Sequence, residues 1–383
     1  MDKLAIEGGR PVSATPIPIA RPVFSERTMR EVVEVLRSGY LRQGPRTEEF
    51  EERFREKVGA RYAYAVNSGT AALHVAYLSI LKPGDEVIVP AFTFIATASM
   101  VVFSFGRPVL ADIDGETLTI DPEDVKEKIT SRTRAIAPVH LFGNAADMRA
   151  LEEIAEDHDL YLVNDAAQAH GTQVDGRDVG SLDHLNCYSF YPTKSMTTGE
   201  GGMVTTNDPG LYRLGCLIRS HGEEEKYRHT LLGFNYRMTE IQAVIGLNQL
   251  SRLDEFLEKR RKNAEILTRG LREIPGLRPQ RIGRGVEPSY SYYSVLMDLE
   301  EFKCSRDEFV EALRAENIGC GVHYPVPLNR QPGLKPFCGD VSCPVSEDVS
   351  SRIFSLPVHP GLSEEDLRKI LEAVDKVSRH YQR

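Results

Sequence analysis

Three short segments of the 383-residue chain carry residue types that could do chemistry together. The first is Asn67-Ser68-Gly69-Thr70, which lies between a predicted strand and a predicted helix. Free backbone amides at the start of a helix attract anions, and a glycine lets a phosphate group approach the backbone closely. Ser68 or Thr70 could equally serve as an ordinary helix cap, so this segment alone leaves both interpretations open.

The second segment is Asn164-Asp165-Ala166-Ala167-Gln168, in which Asp165 directly follows the apolar run LYLVN (160–164). Catalytic groups in open α/β sheets gather at the carboxyl ends of strands. A carboxylate at that position could pair with a protonated ring nitrogen, and the two small alanines would leave room for a flat ring. An aspartate that caps a following helix is the alternative.

The third segment places Lys194 in a loop, five residues after Ser189 and shortly before the glycine-containing run TTGEGG. An amine whose pKa is lowered can attack an aldehyde and form an imine. A solvated surface lysine is the alternative for this residue taken alone. A phosphate cradle, a carboxylate at a strand end and a loop lysine, in this order, are together the parts that hold pyridoxal 5'-phosphate (PLP).

Seven short apolar runs predict the strands that must position these segments. They cover residues 62–66, 86–90, 108–112, 135–140, 160–164, 186–190 and 202–206. Several are continuously apolar, which is typical of strands that are covered on both faces. Helical patterns alternate with them, for example over 70–81 and 147–157. The alternation predicts an α/β fold with a mostly parallel sheet and helices on both sides.

The pattern changes after residue 250. A long charged helix over 252–271, a strand-like run over 290–299, and helices over 305–316 and 363–381 predict a smaller α+β domain. We therefore expect a large domain over 1–250, with its N-terminal segment near the small domain, and a small domain over 251–383. Thr239 and Gln242 have the spacing of a capping box, which predicts a helix start at the joint.

Charge, hydropathy and cysteine content narrow the function classes. The net charge is -9 and no basic block stands out, so nucleic acid is not an expected partner. No run approaches the roughly 20 apolar residues that cross a bilayer, and the start does not resemble a secretion signal, so we expect a cytoplasmic enzyme. Cys338 and Cys343 are close enough in sequence to form a disulfide, but the chain has no second pair of ligands that would make a metal site with them.

Motifs in a fixed order identify the chain more specifically. They are GYLRQGP (39–45), NSGTAALH (67–74), VPAFTFIAT (89–97), NDAAQAHG (164–171), SFYPTKSMTTGEGG (189–202), GFNYRMTEIQAVIG (233–246) and HYPVPL (323–328). Over nearly its whole length the chain resembles the DegT/DnrJ/EryC1/StrS family of PLP-dependent sugar aminotransferases. The resemblance implies the PLP type I fold, with a seven-strand mixed sheet, and a homodimer with shared active sites.

The resemblance also implies a role for each matching residue. Eight residues would hold the cofactor: Gly69, Thr70, Phe94, Asp165, Gln168, Ser189, Lys194 and Asn235. Lys194 would form a Schiff base with PLP and move the proton, while Asp165 would pair with the pyridine nitrogen. Phe94 would stack on the ring, Gln168 would donate to the ring hydroxyl oxygen, and Asn235 would reach the phosphate of the neighbouring subunit.

The substrate side of the site is less defined. The residues expected there are Tyr191, Arg237, His323 and Tyr324. Tyr191 stands where this loop usually has a histidine, and Asn164 stands where an acidic residue often precedes the aspartate. His170 and His221 are further candidates near the site, although a packed structural histidine is the favoured interpretation for each.

The reaction implied is transfer of an amino group from glutamate or glutamine to a keto-sugar, most naturally a nucleotide-linked one. The opening LAIEGGRPV resembles the branch that acts on cyclitol ketones such as scyllo-inosose, so that substrate class is an alternative. A non-catalytic PLP-binding regulator is a second alternative. Lys194 argues against the related dehydratases, which have a histidine in its place.

Overall fold

The computed structural model describes residues 3–383, and within them helices and strands alternate as the sequence predicts. The helices are α1 (Glu26–Ser38), α2 (Pro45–Val58), α3 (Gly69–Leu78), α4 (Ala96–Phe103), α5 (Pro122–Lys128), α6 (Met148–Asp157), α7 (Pro209–Arg219), α8 (Glu240–Leu250), α9 (Leu253–Leu271), α10 (Arg306–Ala315), α11 (Lys335–Cys338), α12 (Pro344–Arg352) and α13 (Glu364–Tyr381). The strands are β1 (Tyr62–Val66), β2 (Glu86–Pro90), β3 (Arg107–Ala111), β4 (Thr133–Ile136), β5 (Tyr161–Asp165), β6 (Gln173–Val174), β7 (Arg177–Asp178), β8 (Leu185–Ser189), β9 (Gly202–Thr206), β10 (Glu223–Glu225), β11 (Arg228–His229), β12 (Leu277–Pro279), β13 (Val286–Glu287), β14 (Tyr293–Met297) and β15 (Ile353–Leu356).

The seven predicted strands of the first two thirds form one sheet in the order β1-β9-β8-β5-β4-β2-β3. Strand β9 runs antiparallel to both of its neighbours, and the other pairs are parallel. This confirms the mixed, mostly parallel sheet. The bounds of β3, β5 and β8 are displaced by one residue, and β4 differs most, because it ends at Ile136 whereas the apolar run predicted a strand to residue 140. Pro138 lacks an N–H group and interrupts the hydrogen-bond ladder, which resumes only as an isolated bridge between Val139 and Asp165.

Both faces of the sheet are covered, as the continuously apolar strands predict. Ala63 and Ala65 of β1 pack into one hydrophobic cluster, while Tyr64 and Val66 pack into a second cluster. Because successive side chains of a strand point to opposite faces, the two clusters lie on the two sides of the sheet. The sheet is therefore fixed between two layers of helices, and only its strand ends remain free to carry a site.

The last third builds a second core. Strand β14 pairs with β12 and β15 in an antiparallel sheet, and α9, α10 and α13 contribute to the same cluster of buried residues. The N-terminal segment joins this core, because Leu4 and Ile17 are buried in it and the Glu316 carboxylate accepts hydrogen bonds from the amides of Ala5 and Val12 at 2.8 and 2.9 Å. The division into domains 1–250 and 251–383 stays a prediction.

From the sequence we expect neither a membrane-spanning segment nor a metal site. Within residues 3–383 no helix is long and apolar enough to cross a membrane, and no group of three or more His, Cys, Asp or Glu side chains could hold a metal ion. Cys338 and Cys343 are both free thiols. The disulfide that the sequence left open is therefore not formed in this structure.

Helix α8 joins the two parts of the chain and begins with the predicted capping box. The Thr239 hydroxyl oxygen accepts from the Gln242 amide at 3.3 Å, and the Gln242 side chain accepts from the Thr239 amide at 2.8 Å. The next residue, Glu240, is only 3% exposed. Its carboxylate accepts hydrogen bonds from the backbone amides of Gly44, Arg46 and Thr47, all at 2.9 Å, and so binds the start of α2 to the start of α8.

We expect Glu240→Gln to lower the free energy of unfolding by about 2 kcal/mol, because the neutral amide loses charge-assisted bonds at the amino end of α2. Urea unfolding followed by circular dichroism measures the change. Glu49→Gln, on the exposed face of α2, is the control and should stay within about 0.5 kcal/mol of the parent. Equal losses in both variants would show that the buried carboxylate has no special role.

Candidate active site

A cavity of about 600 Å³ lies where strands of the large sheet end. Asp165 and Ser189 are the last residues of the parallel strands β5 and β8, so both reach the same edge of the sheet. Ten of the twelve residues expected in the site line this cavity: Gly69, Thr70, Phe94, Asp165, Gln168, Ser189, Tyr191, Lys194, His323 and Tyr324. The other two, Asn235 and Arg237, are not among the lining residues.

One end of the cavity is formed by the start of α3. The Ser68 hydroxyl caps the helix by accepting from the Ala71 amide at 3.1 Å, which confirms the capping alternative without excluding an anion site. The helix then presents the amides of Gly69 and Thr70 to the cavity. A Cβ atom on Gly69 would lie 2.6 Å from that of Ser189, so only glycine fits this approach. A helix start with an adjacent hydroxyl is suited to a phosphate group.

Asp165 is buried, and its two carboxylate oxygens have different partners. Oδ2 accepts from the Thr97 hydroxyl at 2.7 Å, and Oδ1 accepts from the Ala167 amide at 3.1 Å. Burial raises the pKa of Asp165, while these hydrogen bonds and the charge of Lys194 act in the opposite direction. Residues 166–172 form turns and no helix begins there, so the structure does not support the helix-cap alternative.

Lys194 follows a turn in which its amide donates to the Tyr191 carbonyl at 3.0 Å. The side chain is partly exposed in the cavity, and burial among its neighbours lowers the pKa of its amine to about 8. The charge of Asp165 opposes this shift. Roughly one amine in ten is therefore unprotonated at pH 7, which an ordinary surface lysine does not approach. Such an amine can act as a nucleophile.

A slot for a flat ring lies between these groups. The Gln168 side-chain oxygen accepts from the Phe142 amide at 2.7 Å, which directs its NH₂ group to the Tyr324 hydroxyl at 3.0 Å. Tyr324 in turn packs against Phe94, with ring centroids 6.0 Å apart. Phe94 is nevertheless 53% exposed, so one face of its ring remains open to the cavity. An exposed aromatic face is available for stacking.

The structure adds two functional candidates that we did not predict from the sequence. Thr97 holds Asp165, and its only sequence signal is its place at the end of VPAFTFIAT. Tyr292 lines the cavity, shares a hydrogen bond with Thr193 at 2.8 Å, and stacks near His323 at a centroid distance of 4.2 Å. Burial, together with the charge of Lys194, lowers the pKa of His323 to about 4, so this imidazole is neutral.

The expected residues outside the cavity fall into two groups. Asn235 is exposed, and Arg237 donates to the Ser220 hydroxyl at 3.0 Å, so neither faces the site of its own chain. His221 is exposed, whereas His170 is buried beside the Tyr188 ring at 5.3 Å. Burial lowers the pKa of His170 to about 3, as for a packed neutral histidine.

Comparisons with known proteins agree with the geometry. Residues 22–375 match the model of the DegT/DnrJ/EryC1/StrS aminotransferase family. The chain is 37% identical to the pleiotropic regulatory protein of Geobacillus stearothermophilus (92% of this chain, 95% of that one) and 33% identical to the GDP-perosamine synthase of Vibrio cholerae (94% and 98%). The solved structure of S. venezuelae DesV superimposes with a TM-score of 0.88 at 35% identity (92% and 94%).

These matches cover more than nine tenths of the chain, and the family match includes every segment that builds the cavity. They confirm the PLP type I fold and the enzyme class that the sequence predicted. The chain belongs to the DegT/DnrJ/EryC1/StrS aminotransferase family.

Proposed function

We propose that the protein uses PLP to transfer an amino group from glutamate or glutamine to a nucleotide-linked keto-sugar. One observation carries the proposal. The lysine amine with a lowered pKa, the buried Asp165 carboxylate and the start of α3 all face a single cavity. The three segments lie up to 127 positions apart in sequence (Asn67 to Lys194), so only the fold brings them together.

The residues present fit PLP. Gly69, Thr70 and Ser189 would bind its phosphate, and Asp165 would accept a hydrogen bond from its ring nitrogen. Phe94 would cover one ring face, and Lys194 would be the point of covalent attachment. When bound, PLP supplies an aldehyde that receives the amino group and a ring that withdraws electrons from the reacting carbon.

The protein groups then have separate tasks. Thr97 and the Ala167 amide fix the Asp165 carboxylate, which would hold a proton on the ring nitrogen of bound PLP. The Lys194 amine takes up and returns a proton at Nζ, and a pKa of about 8 suits both directions near neutral pH. Tyr292, His323 and Tyr324 form a neutral wall that limits access of water.

The substrate class rests on the relatives. The sequence identity of 33% to a GDP-perosamine synthase supports a nucleotide-linked sugar as the substrate. A cyclitol ketone stays the alternative substrate. The relative from Geobacillus stearothermophilus is called a pleiotropic regulatory protein, and this name agrees with the regulator hypothesis. A cavity that retains Lys194, Asp165 and Gln168 together favours catalysis, since a regulator needs no proton-moving lysine.

The test separates the two halves of the reaction. Glutamate or glutamine alone should release about one equivalent of oxo acid per site, and a keto-sugar should then permit repeated turnover with formation of the amino-sugar. Lys194→Ala should abolish both because the proton-moving amine is lost, whereas Lys259→Ala, an exposed lysine on α9, should behave as the parent. Mass spectrometry measures both products.

Testing both nucleotide-linked keto-sugars and cyclitol ketones as amino acceptors decides between the two substrate classes, and the amino-donor reaction decides between enzyme and regulator. Turnover with cyclitol ketones but not with nucleotide-linked keto-sugars would establish the alternative substrate. Failure of every amino donor to release oxo acid from protein that carries PLP would reject the enzyme and leave the regulator.

We expect Thr97→Val to lower kcat about tenfold, because it removes one of the two hydrogen bonds that hold the Asp165 carboxylate. The lost bond favoured the charged form, so the pKa of Asp165 rises further and the acidic side of the pH–rate profile moves to higher pH. Thr97→Ser keeps the hydroxyl and should restore both kcat and the profile. A Val variant with lower kcat but an unmoved profile would show a packing defect instead.

We further propose a homodimer in which Asn235 completes the partner's site. Asn235 lies outside the cavity of its own chain, and its neighbour Phe234 is a partly exposed aromatic residue. On α1, Met29, Val33 and Leu36 recur on one face and are all exposed. An apolar stripe of this kind on a folded chain is typical of a surface that binds a partner.

Mixed dimers test the sharing. In a dimer of one Lys194→Ala chain and one Asn235→Ala chain, one site would carry both changes and the other site neither. Activity should therefore reappear when the two impaired proteins are mixed and exchange subunits. Native mass spectrometry verifies the mixed dimer. A verified mixed dimer without recovered activity would reject the shared site, provided that Asn235→Ala alone is clearly impaired.

A further inference from the structure

A second, much smaller cavity shares Lys194 with the active site. We call it the Arg260 cavity, and its lining includes Arg21, Lys194, Ser195, Gln249 and Arg260. Its volume of about 20 Å³ is enough for one water molecule or one monatomic ion. Three lining residues are basic, and no aspartate or glutamate lines it within the part of the chain that the structure describes.

Arg260 is the centre of the positive charge. It lies on α9 and is 4% exposed, and Nη1 donates to the carbonyl oxygens of Tyr290 and Ser291 at 3.0 and 3.3 Å. Its Nε has no hydrogen-bond partner among residues 3–383. Burial lowers the pKa of Arg260 to about 10, and only the Tyr292 hydroxyl raises it. A buried guanidinium is normally paired with a carboxylate, because an unpaired buried charge is costly.

Ser195 supplies a second unsatisfied group to the same cavity. It is 4% exposed, and its hydroxyl has no partner among the described residues. A hydroxyl and a guanidinium N–H can both donate to an anion. The small volume excludes carboxylates and phosphate, so an anion bound here must be monatomic.

We propose that the Arg260 cavity binds one halide ion, chloride under ordinary conditions, between the Arg260 guanidinium and the Ser195 hydroxyl. The ion supplies a counter-charge that no described residue provides in this cavity. Residues 20–23 form part of the wall, and Gln249 binds the Val23 carbonyl at 2.8 Å, so the ion also stabilises the docked N-terminal segment. Lys194 borders both cavities, but the anion site does not depend on the proposed function.

Bromide locates the site directly. Crystals of the protein carrying its cofactor, grown with sodium bromide in place of chloride, should show an anomalous difference peak between Arg260 and Ser195. In solution, Tm should rise with chloride concentration when sodium gluconate keeps the ionic strength constant. A bromide peak without any chloride-dependent Tm would reduce the site to binding at crystal concentrations and overturn the proposal, as would a cavity without the peak.

Variants assign the effect to this cavity. Ser195→Ala should raise the apparent dissociation constant for chloride about tenfold, the effect of one lost hydrogen bond to an ion. Arg260→Gln should abolish the chloride dependence. Lys259→Gln, at a neighbouring exposed position on α9, should leave it unchanged. If Arg260→Gln does not fold, the Ser195→Ala and bromide results still decide, and an unaltered chloride response in Ser195→Ala contradicts the proposal.

Discussion

The close approach of three backbone segments is the constraint on which the site depends. The start of α3 lies against the end of β8, and β9 lies beside both. A side chain on Gly69 would meet Ser189, and one on Gly202 would lie 2.4 Å from the Ser68 carbonyl oxygen. The start of α3, which we propose binds phosphate, and the loop that carries Lys194 are thus held close together, and the space at both contacts requires glycine.

Burial then sets the charges inside this frame. It raises the pKa of Asp165 and lowers that of Lys194, so each residue is less committed to its charged form than it would be in water. Hydrogen bonds from Thr97 and the Ala167 amide partly offset the effect at the carboxylate. The same burial keeps His323 neutral. The cavity therefore holds the pair Asp165 and Lys194, with Glu200 as a further carboxylate in its wall, and a bound ring would interact strongly with both members of the pair.

Sequence patterns predicted most of this arrangement because its main elements are local. Apolar runs predicted all seven strands of the sheet, and helical periodicity predicted the two longest helices, α9 and α13, although α1 and α2 were not predicted. The parallel strands then place Asp165 and the loop of Lys194 at the same edge as Gly69. The failures have physical reasons. Pro138 ends β4 early through its missing N–H, which hydropathy does not show. Thr97 and Tyr292 look like ordinary helix and strand residues, and only long-range packing gives them a role.

Two of the expected site residues, Asn235 and Arg237, lie outside the cavity. Residues from the first two thirds and from the last third of one chain surround the ring slot. Gln168 forms a hydrogen bond with Tyr324, and Thr193 forms one with Tyr292. On the phosphate side the same chain leaves Thr70 exposed. Local sequence signals report structure within one chain, so they cannot show whether a residue such as Asn235 contacts a second copy. The proposed homodimer would give such a residue a role, because Asn235 would then face the site of a second copy.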